Sequence, residues 1–431
     1  MSALEHTHVG ERIFQLIEQL YPICRSITGH GVRQTLALLT EHIPLKIHEV
    51  ATGTPVFDWV VPKEWNIRDA YIKNAAGERV VDFQRHNLHV LNYSVPVHAR
   101  MTLAELKPHL HALPDHPDWI PYRTSYYSET WGFCLTQHQL DNLSEGEYEV
   151  RIDATLAPGH LTYGEYFLPG ASDEEVLFYT HVCHPSLCND NLSGIAVTAL
   201  LAQWLGTQPR RYSYRFVFAP GTIGSITWLS RNEARLQNIK AGLIVALVGD
   251  SGGFTLKKSR QGCTLIERVA QQALRDGGEN YVVVDFAPYG YDERQFCSPG
   301  INLPVARLTR TPNGEYPEYH TSADNLQFVK REQLAASFRL CAAIVDILEK
   351  DRRYVNTQPK CEPQLGKRGL YRKTGGQKDI GAREYALLWV LNLSDGEHSL
   401  LDIAQRAALP FKVVSAAADD LIACGLLHEI H

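Results

Sequence analysis

The amino-acid sequence predicts an α/β protein with a mainly parallel central sheet and helices on both faces. From Glu174 onward, short apolar runs typical of buried strands alternate with segments whose apolar residues recur at helical spacing. The chain has 431 residues, 44% of them hydrophobic and 21% charged. It can therefore bury a large core and is long enough for about three domains.

The predicted elements follow one another in a regular order. Two amphipathic helices, near residues 13–20 and 32–43, open the chain, and Pro44 ends the second. Short β-branched and aromatic runs, broken by Gly, Pro and Asn, then fill residues 52–166 and indicate a separate β-rich module. The α/β part continues through strands at 176–180, 214–219, 242–248, 281–286 and 304–308, and helices at 194–205, 225–236, 264–275 and 331–350.

The C-terminal part of the chain departs from this pattern. Residues 351–380 carry eight basic and three acidic residues without periodicity, which indicates a basic linker. Residues 381–431 show three short helical patterns followed by Gly425 and two leucines, an order that resembles a winged helix. The predicted domains are thus an α/β domain (1–50 and 165–350), an inserted β-rich domain (51–164), the linker, and a winged-helix domain.

Charge and composition disfavour several classes of partner. The net charge is −6, and residues 382–431 hold three basic and seven acidic residues, so no nucleic-acid partner is expected. We expect the winged helix to contact a protein partner or a second copy of the chain instead. No apolar run approaches the ~18 residues of a membrane span, and the first ten residues lack the apolar core of a secretion signal. Nine cysteines, an odd number, favour a reducing compartment, so a cytoplasmic protein is predicted.

Residues that suit a metal ion follow three of the apolar runs. His181 ends the apolar run that begins at Val176, and Asp190 follows in the next loop. Asp250 ends the run that begins at Leu243, and His320 lies in a polar loop. Imidazoles and carboxylates at the carboxyl ends of strands are suitable ligands for zinc or a similar divalent ion. Each residue also has a plain structural interpretation: His181 as a satisfied core histidine, Asp190 as a helix cap, Asp250 as a turn residue, and His320 as an unliganded loop histidine.

Two motifs give these residues a family context. Asp190-Asn191-Leu192-Ser193-Gly194 and His320-Thr321-Ser322-Ala323-Asp324 resemble the motifs of the co-catalytic zinc aminopeptidase superfamily. The resemblance covers residues 1–45 and 165–350. It implies that His181, Asp190, Asp250 and His320 bind one or two divalent ions, with zinc the first choice. The β-rich insert and the winged helix resemble a subgroup of uncharacterised aminopeptidase-like proteins often associated with polysaccharide biosynthesis.

The sequence departs from the superfamily at two positions. Cys183 stands where the superfamily has an aspartate that orients the first histidine, and a thiol is a weaker acceptor. Residues 216–225 contain no carboxylate where the superfamily has a Glu-Glu pair that includes the general base. The candidates for catalytic residues are Glu293 and His184. Their alternatives are a surface salt bridge of Glu293 with Arg294 and a loop-stabilising hydrogen bond of His184. A Gly221→Glu substitution is expected to raise hydrolysis.

The predicted function is that of a metal-dependent hydrolase, resembling aminopeptidases, that cleaves an amide or peptide-like bond of a small substrate. Candidate substrate-binding residues are Arg260, Arg294, Arg310 and Tyr319, because basic side chains near the motifs could recognise a carboxylate. Solvated surface is the alternative interpretation of the basic ones. The alternative function is a binding or scaffold protein that keeps the fold and has lost turnover, since the general base is missing.

Overall fold

The computed structural model describes residues 3–370 and 381–430. The chain divides into two compact units: unit 1 comprises Met1–Ile266 and Val282–Arg339, and unit 2 comprises Glu267–Tyr281 and Leu340–His431. Among the described residues, no helix has both the length and the apolar character needed to cross a bilayer.

Most of the longer helices and strands lie close to the segments in which the sequence predicts them, whereas the short strands at 254–257 and 353–356 were not predicted. The helices are α1 (Ala3–Leu20), α2 (His30–Thr40), α3 (Leu103–Leu106), α4 (Gln137–Asp141), α5 (Gly194–Leu205), α6 (Ile223–Asn232), α7 (Leu265–Gly277), α8 (Glu293–Phe296), α9 (Arg331–Lys350), α10 (Ala382–Leu393), α11 (Leu400–Ala407) and α12 (Phe411–Ala423). The strands of unit 1 and its central sheet are β1 (Lys46–Ala51), β2 (Pro55–Val56), β3 (Trp59–Val60), β4 (Glu64–Lys73), β5 (Arg79–Asp82), β6 (Val97–Thr102), β7 (Leu110–His111), β8 (Phe133–Cys134), β9 (Glu147–Ala157), β10 (His160–Leu168), β11 (Glu175–His181), β12 (Ser213–Ala219), β13 (Ile239–Val245), β14 (Phe254–Lys257), β15 (Tyr281–Val284) and β16 (Val305–Thr309). The strands of unit 2 are β17 (Arg353–Asn356), β18 (Asp395–Ser399) and β19 (Leu427–Ile430).

The central sheet has eight strands in the order β1-β10-β12-β11-β13-β16-β14-β15. The four middle strands, β12, β11, β13 and β16, run parallel, whereas β1, β10 and β14 pair antiparallel with their neighbours. All residues of β11 and β12 are buried, which explains why both read as continuous apolar runs. The predicted α/β class with a mainly parallel centre is confirmed.

The β-rich segment belongs to unit 1. Its main sheet has four antiparallel strands in the order β5-β4-β9-β6, accompanied by the small pairs β2-β3 and β7-β8. The strands on either side of this segment, β1 and β10, pair with each other from Lys46↔Glu165 to Ala51↔His160. The chain therefore leaves the central sheet and returns to it at adjacent points of one edge.

Unit 2 contains the winged helix. Its three-stranded sheet has the order β18-β17-β19, so the strand β17 comes from the segment predicted as a linker. The part of that segment at 371–380 lies outside the described residues. A capping box of Ser399 and Asp402 begins α11. Within the same unit, Arg268 of α7 forms an ion pair of 2.5 Å with Asp402.

Candidate metal centre

The candidate centre begins at the carboxyl end of β11. His181 is the last residue of that strand, and Asp190 lies in the irregular helical turn Cys188–Ser193 that precedes α5. Nε2 of His181 is 2.9 Å from Oδ1 of Asp190, and both side chains are almost completely buried. The strand end and the following turn therefore bring the first predicted pair of ligands together.

His320 reaches the same carboxylate from the loop after β16. Its Nε2 is 3.0 Å from Oδ2 of Asp190, so the two oxygens of one carboxylate face two imidazoles. The backbone of His320 is left-handed, with a φ of 56°, which is uncommon for a residue other than glycine. The ring of Tyr319 stacks on the imidazole with centroids 3.9 Å apart. This loop conformation holds Nε2 against Asp190.

His184 adds a third imidazole. Its Nε2 is 3.8 Å from Oδ2 of Asp190, and donor atoms of His181, His184 and Asp190 all lie within 4.8 Å of one another. Burial lowers the pKa of His184 to about 3, so its ring is neutral at physiological pH and has a lone pair for a cation. Burial opposes the charge on Asp190, but the neighbouring imidazoles, His184 foremost, bring its pKa well below the usual value.

Asp324 holds the turn that carries Asp190. Its two carboxylate oxygens accept the backbone N–H groups of Asn189 at 2.6 Å and of Asp190 at 2.9 Å. Burial raises the pKa of Asp324 to about 8, and the nearby charges of Asp190 and Asp250 act in the same direction. The last residue of the motif 320–324 thus fixes the backbone of the motif 190–194.

The structure does not bring Asp250 into this group. The strand β13 ends at Val245, so Asp250 lies five positions beyond the strand end at which the sequence pattern put it. Its carboxylate accepts hydrogen bonds from Asn189 Nδ2 at 3.0 Å, from the Gly252 amide at 2.7 Å and from the Thr311 hydroxyl at 2.6 Å. These contacts fit the turn-residue interpretation, in which Asp250 supports the loop beside the centre.

The β-rich segment contributes two tyrosines to the centre. The ring of Tyr122 lies edge-on to the His320 imidazole, with centroids 5.0 Å apart, and its backbone N–H donates to the His320 carbonyl at 2.7 Å. The hydroxyls of Tyr122 and Tyr126 are 2.5 Å apart. Burial raises the pKa of both phenols well above 10, so both remain neutral hydrogen-bond donors.

The region of the missing Glu-Glu pair is filled by Tyr291 and Asp292. A Cβ at Gly221 would overlap the ring of Tyr291 and would lie 2.8 Å from Oδ2 of Asp292. A glutamate therefore fits at position 221 only if Tyr291 moves. For this steric reason we no longer expect Gly221→Glu to raise hydrolysis. Burial raises the pKa of Asp292 to about 6, with His181 acting in the opposite direction.

Glu293, the neighbour of Asp292, is a buried ion-paired carboxylate. Its partners are Lys257 at 2.9 Å and Arg307 at 3.3 Å, whereas Arg294 is exposed. Although burial opposes the charge, these two cations lower the pKa of Glu293 to about 2. A carboxylate held this firmly in its charged form is a weak general base at neutral pH. The salt-bridge alternative is thus the better description, with partners other than Arg294.

The predicted substrate-binding residues lie in different surroundings. Arg260 is exposed and donates to the Asn302 side chain at 3.1 Å. The Arg310 guanidinium is buried, and it donates to the Gly252 carbonyl at 2.7 Å and lies over the Phe254 ring. Of the four predicted substrate-binding residues, Tyr319 contacts the centre, through its stacking on the His320 imidazole. These contacts give Arg310 a structural role.

No sequence pattern pointed to Asp292, Tyr122 or Tyr126. A signal for Asp292 was available, because position 183 lacks the carboxylate that orients the first histidine in the superfamily, and another acidic residue is needed for that role. No comparable signal marks the tyrosines, since their approach to His320 depends on how the insert packs.

The donor set fits a divalent ion. Two imidazole nitrogens and both oxygens of Asp190 converge at hydrogen-bond distance, and a third imidazole lies within 4 Å of the same carboxylate. Zinc is commonly bound by nitrogen and oxygen donors of these types.

Comparisons with known proteins agree with this architecture. A protein of Clostridium acetobutylicum, named as a candidate polysaccharide biosynthesis protein with an aminopeptidase-like domain, is 54% identical over 98% of this chain and 97% of its own length. A crystal structure of a candidate peptidase from the same organism covers 99% of this chain and 98% of that one, with 52% identity and a TM-score of 0.95. A zinc aminopeptidase from Bacillus subtilis shares the fold at 15% identity, with a TM-score of 0.56 over 79% of this chain and 94% of that one.

Two family models divide the chain between them. One describes a winged helix-turn-helix and matches residues 352–429, the segment that begins with β17. The other matches residues 14–351, which hold the central sheet, the β-rich segment and the candidate centre. The chain therefore belongs to the family described as "Domain of unknown function (DUF4910)", whose fold here is that of the zinc aminopeptidases with a C-terminal winged helix.

Proposed function

We propose that this protein is a metal-dependent hydrolase that cleaves an amide or peptide-like bond of a small substrate. The observation that carries the proposal is the meeting of His181 and His320 with the two oxygens of the buried Asp190. These three residues would hold one divalent ion, for which zinc is the first choice. His184 would be the fourth ligand, in the place that the sequence pattern gave to Asp250. A single ion is proposed because both Asp250 and the carboxylates near position 221 are missing from the group.

A divalent ion bound there supplies Lewis acidity, which polarises a carbonyl and lowers the pKa of water. The residues of the chain provide the rest of the site. Asp324 holds the Asp190 turn in place, and Tyr319 fixes the plane of the His320 ring. Tyr122 packs against His320, and since one hydrogen of the Tyr122–Tyr126 hydroxyl pair is used between the two phenols, the other can be donated to an oxyanion formed from the substrate carbonyl.

Hydrolysis of a panel of aminoacyl and N-acyl amides by zinc-loaded protein tests the proposal. We expect amine release that stops when a chelator is added, returns with zinc, and falls to background in Asp190→Asn. Asp285→Asn is the matched control, because this carboxylate is 89% exposed, pairs with Lys258 at 2.8 Å and should leave the rate unchanged.

A second candidate is a binding or scaffold protein of the same fold without turnover. The observation that favours it is the Tyr291 ring at the place where the superfamily carries its general base. Stoichiometric zinc together with no amine release from any amide of the panel would support this candidate over the hydrolase.

A link to polysaccharide biosynthesis is proposed from the name of the 54% identical relative.

A cytoplasmic location is proposed as well. All nine cysteines are free thiols, which supports a reducing compartment such as the cytoplasm.

The winged helix is proposed as a protein-docking or self-association module. Its helix α12 carries one lysine, Lys412, against Asp419 and Asp420, and Arg383 is already paired with Asp420 at 2.7 Å. We expect no shift of duplex DNA by the full-length protein in a gel at low salt, because phosphate binding needs a basic face. A salt-dependent shift would contradict this assignment.

A further inference from the structure

Asp292 is a buried carboxylate with an unused oxygen. Its side chain is about 1% exposed, and Oδ1 lies 2.7 Å from the Ser225 hydroxyl and 3.1 Å from the Tyr179 hydroxyl. Among the residues that the structure describes, Oδ2 has no hydrogen-bond partner. An unpaired buried oxygen of this kind calls for an explanation, since such groups are rare in folded proteins.

The unused oxygen faces the first histidine of the centre. Oδ2 of Asp292 is 3.9 Å from Nδ1 of His181, on the side of the ring opposite the nitrogen that meets Asp190. A histidine that binds a cation through Nε2 carries its hydrogen on Nδ1 and needs an acceptor there. Asp292 is the acidic residue that the structure provides at this position.

Other neighbours of Nδ1 do not fill this role. Asn191 Nδ2 is 3.3 Å away, but it already donates to the Thr180 hydroxyl at 2.8 Å and to the His181 carbonyl at 3.0 Å. The Leu247 N–H donates to Asn191 Oδ1 at 3.1 Å, which fixes the amide with its nitrogen toward the ring. A nitrogen donor cannot accept the Nδ1 hydrogen.

Cys183 does not fill it either, although it stands at the sequence position of the usual acceptor. Its Sγ lies 3.2 Å from Nδ1 of His184 and 3.4 Å from the Tyr291 hydroxyl, so it contacts the neighbouring histidine. Burial raises the pKa of this thiol to about 12, which leaves it uncharged.

We infer that Asp292 is the positioning residue for His181, and that it replaces, from a distant part of the chain, the carboxylate missing at position 183. The glycine at 221 is part of the same arrangement, because a Cβ there would lie 2.8 Å from Oδ2 of Asp292. Small size at 221 leaves room for this carboxylate and for the ring of Tyr291. The inference rests on the proposed metal centre and names the residue that orients one of its ligands.

Zinc affinity, measured by competition with a chromophoric chelator, tests the inference in full-length protein. In Asp292→Asn, the side-chain oxygen can keep the contacts with Ser225 and Tyr179, so the amide nitrogen would face Nδ1 and oppose its hydrogen. We expect zinc binding about 10- to 100-fold weaker than in the parent protein, the range typical for loss of a partner that orients a ligand. The visible spectrum of the cobalt-substituted protein should change as well, because the His181 ring changes its orientation.

Three comparisons keep the outcomes distinct. Asp285→Asn, an exposed carboxylate, should change neither the zinc affinity nor the cobalt spectrum. Ser225→Ala removes one contact of Oδ1 and retains the carboxylate, so it should weaken zinc binding less than Asp292→Asn and serves if the latter does not fold. The thermal midpoint of each metal-free variant shows whether a lost affinity reflects unfolding.

Unchanged zinc affinity in folded Asp292→Asn would overturn the inference and leave the proposed centre intact. A parent protein that binds no zinc would overturn the proposed centre itself and the inference with it.

Discussion

Replacing His320 by alanine is expected to remove the bound metal. The substitution takes away one of the two imidazoles that meet Asp190 and leaves Oδ2 of that carboxylate without its 3.0 Å partner. Because loss of a mere supporting group costs about 10- to 100-fold in affinity, loss of a ligand should cost at least the upper end of that range. Elemental analysis after dialysis against buffer without chelator should show near-stoichiometric zinc in the parent and almost none in the variant.

His398→Ala is the matched control for this measurement. His398 is also a histidine beside a carboxylate, with Nδ1 2.8 Å from Asp395, but it lies in unit 2 near the surface. It should retain the zinc content of the parent protein. Equal loss of zinc in both variants would point to general destabilisation, and full retention in His320→Ala would contradict the assignment of His320.

Replacing Arg215 by alanine is expected to cost about 3–5 kcal/mol of stability, the usual cost of leaving buried charges without their partner. Arg215 on β12 binds Glu175 on β11 at 2.6 Å and Glu165 on β10 at 2.7 Å, and all three side chains are largely buried. The arginine therefore neutralises two carboxylates across three adjacent strands. The variant would leave both carboxylates inside the sheet that carries His181.

Urea unfolding, with hydrogen exchange of the β11 amides to report on the central sheet, measures this effect. Arg68→Ala is the matched control, because the Arg68 side chain is 75% exposed and pairs with Asp153 at the surface. Its expected cost is below about 1 kcal/mol. Similar costs in the two variants would contradict a special contribution of the buried cluster.

The central sheet and most of the candidate centre follow from local sequence patterns. Strands buried on both faces read as apolar runs, and the ends of parallel strands meet at one edge, so His181 and Asp190 could be placed together. The motif 320–324 added the third residue through its resemblance to the zinc aminopeptidase superfamily. Residue types and the order of elements suggested these ligands, and the resemblance grouped them into one metal site.

The remainder of the site depends on contacts between distant segments. Asp250 was assigned to a strand end, but β13 stops at Val245 and the following loop turns its carboxylate toward Thr311. Asp292 and Tyr122 reach the histidines through packing of a loop and of the inserted segment, which no spacing in the sequence encodes. The strand β17 escaped prediction because a four-residue strand beside a basic stretch lacks a clear alternation.

Anomalous diffraction from crystals grown with zinc tests the central claim most directly. The claim is that His181, His184, Asp190 and His320 of this chain hold one divalent ion. It predicts a single strong peak in contact with the three imidazoles and the Asp190 carboxylate, with Asp292 on the far side of the His181 ring. A peak elsewhere in unit 1, or no peak at a zinc concentration far above physiological levels, would contradict it.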